Sequence, residues 1–270
     1  MKKLICLLLV FVLLLAGCSK EAKQAAAEAK ALRFNEKDFS EVYTCGDTDV
    51  KWAYSYETGE LSIGGEGAIP DYSAEMEAAP WAGYTYTSVR VCEGVTRIGT
   101  EAFANNASVT EVKMADTVTS IGAKAFYTCE NLTSVSIPAS VTEIGMNAFS
   151  LCTALSEINV SEENTAYQSI DGVLLTKDGK TLVQYPVGCG NAGYVVPDGV
   201  EVIGELAFGF CGDTLSALEL PDSLTNIERA AFIGCRVLES VVYHGSEQDW
   251  KSVKLAPENE LLTFAEFSFS

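Results

Sequence analysis

One short segment recurs along this chain, and its spacing constrains the fold more than any other feature. It reads Ile98-Gly99-Thr100-Glu101-Ala102-Phe103, then IGAKAF from 121, IGMNAF from 144, IGELAF from 203 and IERAAF from 227. The first three copies start 23 residues apart and the last two 24 apart. The 59 residues between 144 and 203 divide as one 23-residue repeat plus a 36-residue insert. The extra residue between the last two copies falls in Gly212-Asp213-Thr214. A unit of this size cannot bury its own Ile and Phe, whereas stacked units form a continuous core.

Upstream of each copy the residues alternate as in a short strand. The pairs are Val89/Val91, Val112/Met114, Val135/Ile137, Ile158/Val160, Val196, Leu218/Leu220 and Val241/Tyr243. Pro138, Pro197 and Pro221 share the column just after the strand, where a ladder N–H is no longer needed. The Gly column suits a tight corner, and the Ala column suits close approach to the next coil. This order of strand, turn and return loop predicts a β-rich α/β solenoid.

The pattern V-x-I-P-x-S-V-T-x-I-G-x-x-A-F-x-x-C-x-x-L-T, nearly whole at 135–156, resembles the BspA-like leucine-rich repeats of bacterial surface proteins. The resemblance covers about 44–270 and implies a right-handed, horseshoe-like coil. Residues 41–87 resemble the family's N-terminal β cap, carrying Thr44-Cys45-Gly46, Trp52, Leu61-Ser62-Ile63, Pro70-Asp71-Tyr72 and Pro80-Trp81. Repeats then run over 88–245, with a hairpin insert at about 161–192, and 246–270 resemble the C-terminal cap. Tyr167-Gln168-Ser169-Ile170-Asp171-Gly172-Val173, through Asp178-Gly179, to Tyr185-Pro186 are similar to the family's hairpin module. The first repeat departs from the pattern, with Cys92 in the Pro column and Asn106 in the Cys column.

The N-terminus predicts export. Lys2 and Lys3 precede thirteen apolar residues, Leu4 to Ala16, too short for a membrane span of ~20 residues. Leu15-Ala16-Gly17-Cys18 resembles a bacterial lipobox, which makes 1–17 a signal peptide and Cys18 the lipid-bearing residue, an anchor to the cell membrane. Residues 18–40, rich in Ala, Glu and Lys, read as a tether.

The formal charge of −19 argues against nucleic acid, which calls for clustered Lys and Arg. Nine cysteines in an exported chain raise the question of disulfides. Cys129, Cys152, Cys211 and Cys235 each fall eight residues after their repeat's Ile, which predicts a ladder of reduced core thiols. Cys45, Cys92 and Cys189 fall outside that column, and unpaired thiols of this kind suit a poorly oxidising habitat. There is no C-x-x-C pair and one histidine, His244, so neither a metal site nor a cofactor is implied. Gly179-Lys180-Thr181 matches the end of a phosphate-binding loop, but Leu174 stands where that loop needs its first Gly, and Asp178-Gly179 is better read as a hairpin turn. No catalytic constellation is found, and the chain is expected not to be an enzyme.

Between the inward residues of each strand, the outward ones predict a binding face. They are Arg90, Lys113, Ser136, Asn159, Val195, Glu219 and Val242, at ~4.8 Å spacing on the concave sheet. Glu111 and Glu157 lie two columns over, placed to offset Arg90 and Lys113. A second candidate is the aromatic group of Tyr72, Trp81 and Tyr84, with Tyr54, Tyr56 and Tyr86. Such rings stack on sugars or anchor protein hot spots, or else cap the first coil. The family resemblance implies a protein partner, in adhesion or contact with host or neighbouring cells. A carbohydrate- or peptide-binding lipoprotein serving uptake or wall organisation is the alternative.

Overall fold

The 23-residue period folds as coils joined to one another by backbone hydrogen bonds on three sides. The computed structural model describes residues 32–270 except 74, 76, 212 and 213. The segment expected to be a signal peptide, Cys18, most of the expected tether and Gly212-Asp213 therefore lie outside the described residues. What is described is a β-solenoid of about eight turns. Its α-helices, Glu247–Trp250 and Glu260–Phe264, are confined to the C-terminal cap among the described residues.

One side is the ladder of four-residue strands. The antiparallel hairpin Val50–Ser55 and Glu60–Gly65 starts it, and Leu61 and Ile63 pair in parallel with Val89 and Val91 of Ser88–Val91. Glu111–Met114 follows, then Ser134–Ile137 and Glu157–Val160. A later sheet runs Gly193–Val195, Ala217–Leu220, Ser240–Tyr243 and Glu266–Phe269. The alternation holds: Val89, Val112, Val135, Ile158, Leu218 and Val241 are buried, with Arg90, Lys113, Ser136, Asn159, Glu219 and Val242 outward.

The second side carries the anchor isoleucines, where Ile98, Ile121 and Ile144 pair coil to coil. The third side is the Ala-Phe turn. There the N–H of Glu101, Phe103 and Asn105 bond the carbonyls of Ala123, Ala125 and Tyr127 in the next coil. This turn is not helical. Each repeat places non-glycine residues in the left-handed region, as at Glu101, Lys124 and Asn147 and again at Asn105, Thr128 and Leu151. Such backbone is costly alone and persists here because the neighbouring coils dictate it.

The buried rings form ladders. Trp81, Phe103, Phe126 and Phe149 stack at 5.6, 5.2 and 5.6 Å between centroids. Tyr185, Phe208 and Phe232 repeat the arrangement at 5.0 Å. Ring pairs of this kind add ~0.5–1.5 kcal/mol each beyond area burial.

The glycine column has a different cause from the corner suggested by its position. Gly99, Gly122 and Gly145 do not have positive φ. A Cβ on them would lie 1.8 Å from the Pro70 carbonyl oxygen, 2.6 Å from Gly99 C and 2.4 Å from Ala123 N respectively. The requirement is backbone-to-backbone contact with the previous coil.

The insert is also part of the stack rather than an appendage between repeats. Tyr167–Ile170, Val173–Thr176 and Thr181–Gln184 form an antiparallel meander. Its last strand pairs in parallel with Val202–Ile203, so Leu182 lies opposite Ile203 and fills the anchor position. Tyr185 then supplies the next ring of the aromatic ladder. The insert's own residues thus build part of the coil that the 23-residue period leaves missing between 144 and 203.

Asn164 holds the entry to this meander. It is 1 % exposed, donates to the Pro138 and Val141 carbonyls at 2.8 Å, and accepts from the N–H of Ala166 and Tyr167. Asn164→Ala should cost about 2 kcal/mol, because it strands buried backbone groups. Urea unfolding checks this, and hydrogen exchange should rise first in 161–170.

Candidate binding face

The outward column of strand residues is interrupted. Arg90 pairs with Lys113, and Ser136 with Asn159, so these four point outward from consecutive strands. After Asn159 the meander intervenes, with the Ile158 N–H bonding the Gly172 carbonyl and Ser169 Oγ donating to the Ile158 carbonyl. Val195, Glu219 and Val242 form a separate column in the later sheet. The sequence placed all seven on one ladder. The structure makes two blocks, because strand residues 157–160 take their next partner from the hairpin.

The first block forms a groove of about 680 Å³ whose walls include Leu32, Glu111, Lys113, Ser136, Asn159 and Ser161. Glu111 and Lys113 pair with each other at 2.9 Å along their own strand and both remain largely exposed. Arg90 is more enclosed. Its guanidinium binds Glu60 at 2.6 Å and Ser62 Oγ at 2.9 Å, so its partner is a cap residue rather than Glu111. Glu157 is exposed at the edge, its Cβ where a side chain on Gly172 would meet it. Glu219 belongs to the second block, where Oε2 lies 2.8 Å from His244 Nε2, and His244 Nδ1 lies 3.0 Å from Ser270 Oγ. That trio was not foreseen, since Glu219, His244 and Ser270 meet only when three coils stack.

Sequence reasoning also missed that the tether's last residues dock. Phe34 covers Gly64, where a Cβ would fall 2.1 Å from the Phe34 Cβ, and Phe34 stacks on Phe39 at 5.4 Å. Glu93 N–H bonds the Leu32 carbonyl at 2.8 Å, and Lys51 pairs with Glu36. The two phenylalanines in an otherwise polar stretch were the available signal. Leu32 therefore lines the groove, while Phe34 and Glu36 meet the cap at Gly64 and Lys51.

The aromatic candidates separate by burial. Trp81 is fully buried and its Nε1–H donates to the Ala102 carbonyl at 2.7 Å. Tyr72 is buried edge-on against it. Both rings pack inside the first coil's cap, the second of the two roles the aromatic group offered, with Tyr84 half-buried at its rim. Tyr56 is the exposed ring beside it, 73 % accessible.

The thiol column is buried within the coils. Cys129 donates to the Phe103 carbonyl at 3.3 Å and Cys152 to the Phe126 carbonyl at 3.1 Å. Burial pushes the Cys152 thiol up to about 12 and that of Cys92 up to about 11. A folded pKa above the unfolded value of ~8.5 means stability is intact below that pH and falls as pH rises toward the folded value. The unfolding free energy from urea melts should therefore fall between about pH 8 and pH 10.5, by up to ~1.4 kcal/mol per pH unit for each such thiol, and the midpoint with it. An unchanged midpoint would show that these thiols are not buried.

The family profile described as "BspA type Leucine rich repeat region" matches six copies, over residues 79–171 and 188–255. No curated protein matches the chain. Among solved structures, a leucine-rich repeat protein from Eubacterium ventriosum shares 24% identity at a TM-score of 0.54, over 85% of this chain and 72% of that one. One from Bacteroides ovatus shares 16% identity at a TM-score of 0.43, over 84% and 71%. The pneumococcal vaccine antigen PcpA also shares 16%, at a TM-score of 0.46, over 86% and 88%. With the repeat, the stacking and the profile in agreement, the chain belongs to the BspA type leucine-rich repeat family.

Proposed function

We propose that this protein is a non-catalytic binding protein of the bacterial cell surface, tethered by lipid on Cys18, whose strand groove receives a protein partner. The observation that carries the reading is the groove itself. Four of the outward residues singled out by their strand positions, Glu111, Lys113, Ser136 and Asn159, line one concavity of about 680 Å³. It mixes one cation, Lys113, and two anions, Glu111 and Asp116, with an amide and hydroxyls, and Met114, Ile137 and Val160 supply apolar floor. Solenoids present such extended faces to partners. The lipobox-like Leu15-Ala16-Gly17-Cys18 supports the surface location. The glycan alternative loses its strongest support with the burial of Trp81 and Tyr72.

The test is a capture screen of the mature protein against extracellular matrix proteins, glycans and peptidoglycan. Hits are then compared with Ser136→Arg and Asn159→Arg, which fill the groove from exposed positions. A protein hit weakened roughly 10-fold or more by either substitution is expected. A glycan hit unaffected by both and lost on Tyr56→Ala would overturn it.

A further inference from the structure

Four cysteines occupy one corner of the coil, but they are not equivalent. Cys129, Cys152 and Cys235 each donate Sγ–H to the carbonyl of the ring residue one coil back, Phe103, Phe126 and Phe208. For Cys211 the corresponding carbonyl is that of Tyr185. The meander's last strand brings Gln184 beside it, and Gln184 Nε2 donates to that oxygen at 3.1 Å. Cys211 Sγ instead meets Cys235 Sγ at 2.8 Å.

That distance is shorter than the ~3.5–4.0 Å at which non-bonded heavy atoms rest, and a disulfide needs ~2.05 Å. The coils are already at bridging separation. Phe208 and Phe232, three residues before each cysteine, stack at 5.0 Å, and a disulfide spans Cα atoms ~4.4–6.8 Å apart. Both cysteines are at most 2 % exposed.

We propose that Cys211 and Cys235 close a disulfide that staples the last two repeats together. The oxidant is an external disulfide, either a small molecule or a thiol oxidoreductase. One cysteine thiolate attacks it and releases the first external thiol, leaving a mixed disulfide. The second thiolate attacks the protein sulfur of that mixed disulfide and releases the second. One S–S bond forms and one breaks, and the two electrons and two protons leave on the two released thiols. The hydrogen bond that Cys211 Sγ–H donates to Cys235 Sγ and burial both hold the Cys211 thiol protonated once the coil is packed. Exchange therefore belongs to the folding chain, before the last coil docks, and the finished bond is shielded from reductant.

The experiment refolds the protein in a buffer of oxidised and reduced glutathione at about pH 8, then alkylates under denaturing conditions. Digestion with trypsin and a protease cutting after Glu separates Cys211, in 206–219, from Cys189. The expected product is 206–219 joined to 230–236, lighter by two hydrogens than the separate peptides. Exchange of amides in 217–243 should then be roughly 10-fold slower or more in the oxidised protein than after reduction. Complete alkylation of both cysteines, or a bridge from Cys211 to Cys189, would overturn the proposal. Because the mapping uses the unaltered chain, the outcome does not depend on whether Cys211→Ser folds.

Discussion

Trp81→Ala should destabilise the protein by about 3–5 kcal/mol, the cost of emptying a fully buried large ring site. Trp81 is the first rung of the ring ladder, stacked 5.6 Å above Phe103, and it meets Trp52 and Tyr72 edge-on. Its loss leaves one face of Phe103 without a partner and the Ala102 carbonyl without its indole donor. The effect should be local as well as global, because each coil contacts only its neighbours. Hydrogen exchange should accelerate in 60–103 well before 217–243. Trp81→Phe keeps a ring in the stack and loses the hydrogen bond, so it should cost about 1 kcal/mol from that bond plus the smaller ring volume. If both variants unfold like the parent, the ring ladder is not what seals the first coil.

Gly145→Ala should cost about 3 kcal/mol or more, above the usual range for an added methyl in a core. The added Cβ would lie 2.4 Å from Ala123 N, 2.7 Å from Gly122 C and 2.8 Å from Ala123 Cα. These are backbone atoms, and the Gly145 N–H is itself bonded to the Ile121 carbonyl at 2.8 Å. The coils would have to part and lose that bond. Gly204, in the same column of a later coil, is the internal control. Its nearest obstacle is the Leu182 carbonyl oxygen at 3.0 Å, with the next atoms at 3.7 Å. Gly204→Ala should cost about 1 kcal/mol or less. The following repeat already carries Glu228 there, whose carboxylate accepts from the Glu205 N–H. Equal losses at 145 and 204, read from urea midpoints, would contradict the close-approach explanation.

Much of this was legible in the chain because a solenoid writes its core as a period. Ile98, Ile121 and Ile144 stand at equal spacing, and each proves to be a rung of one ladder. The strand alternation placed Val112 and Val135 inward and Lys113 and Ser136 outward, as they are. Leu182 escaped because its strand lacks the Gly and Phe that mark the other anchors, and only its pairing with Ile203 reveals the role. The aromatic group read ambiguously for a similar reason. A ring that caps a coil and a ring that meets a ligand have the same composition, and burial alone separates Trp81 from Tyr56.

The sequence by itself determined the repeat, the inward and outward faces, the column of thiols and the family, since all of these follow from spacing along one strand of chain. The tertiary structure decided what depends on which coil lies against which. It split the outward column at Asn159, because the meander's Gly172 takes the next hydrogen bond. It drew Leu32 into the groove wall and put Glu219, His244 and Ser270 together. It also brought Cys211 to Cys235 by giving the Tyr185 carbonyl to Gln184. Contacts between coils are set by how each turn closes, and turn closure at the insert leaves no periodic trace in the residues.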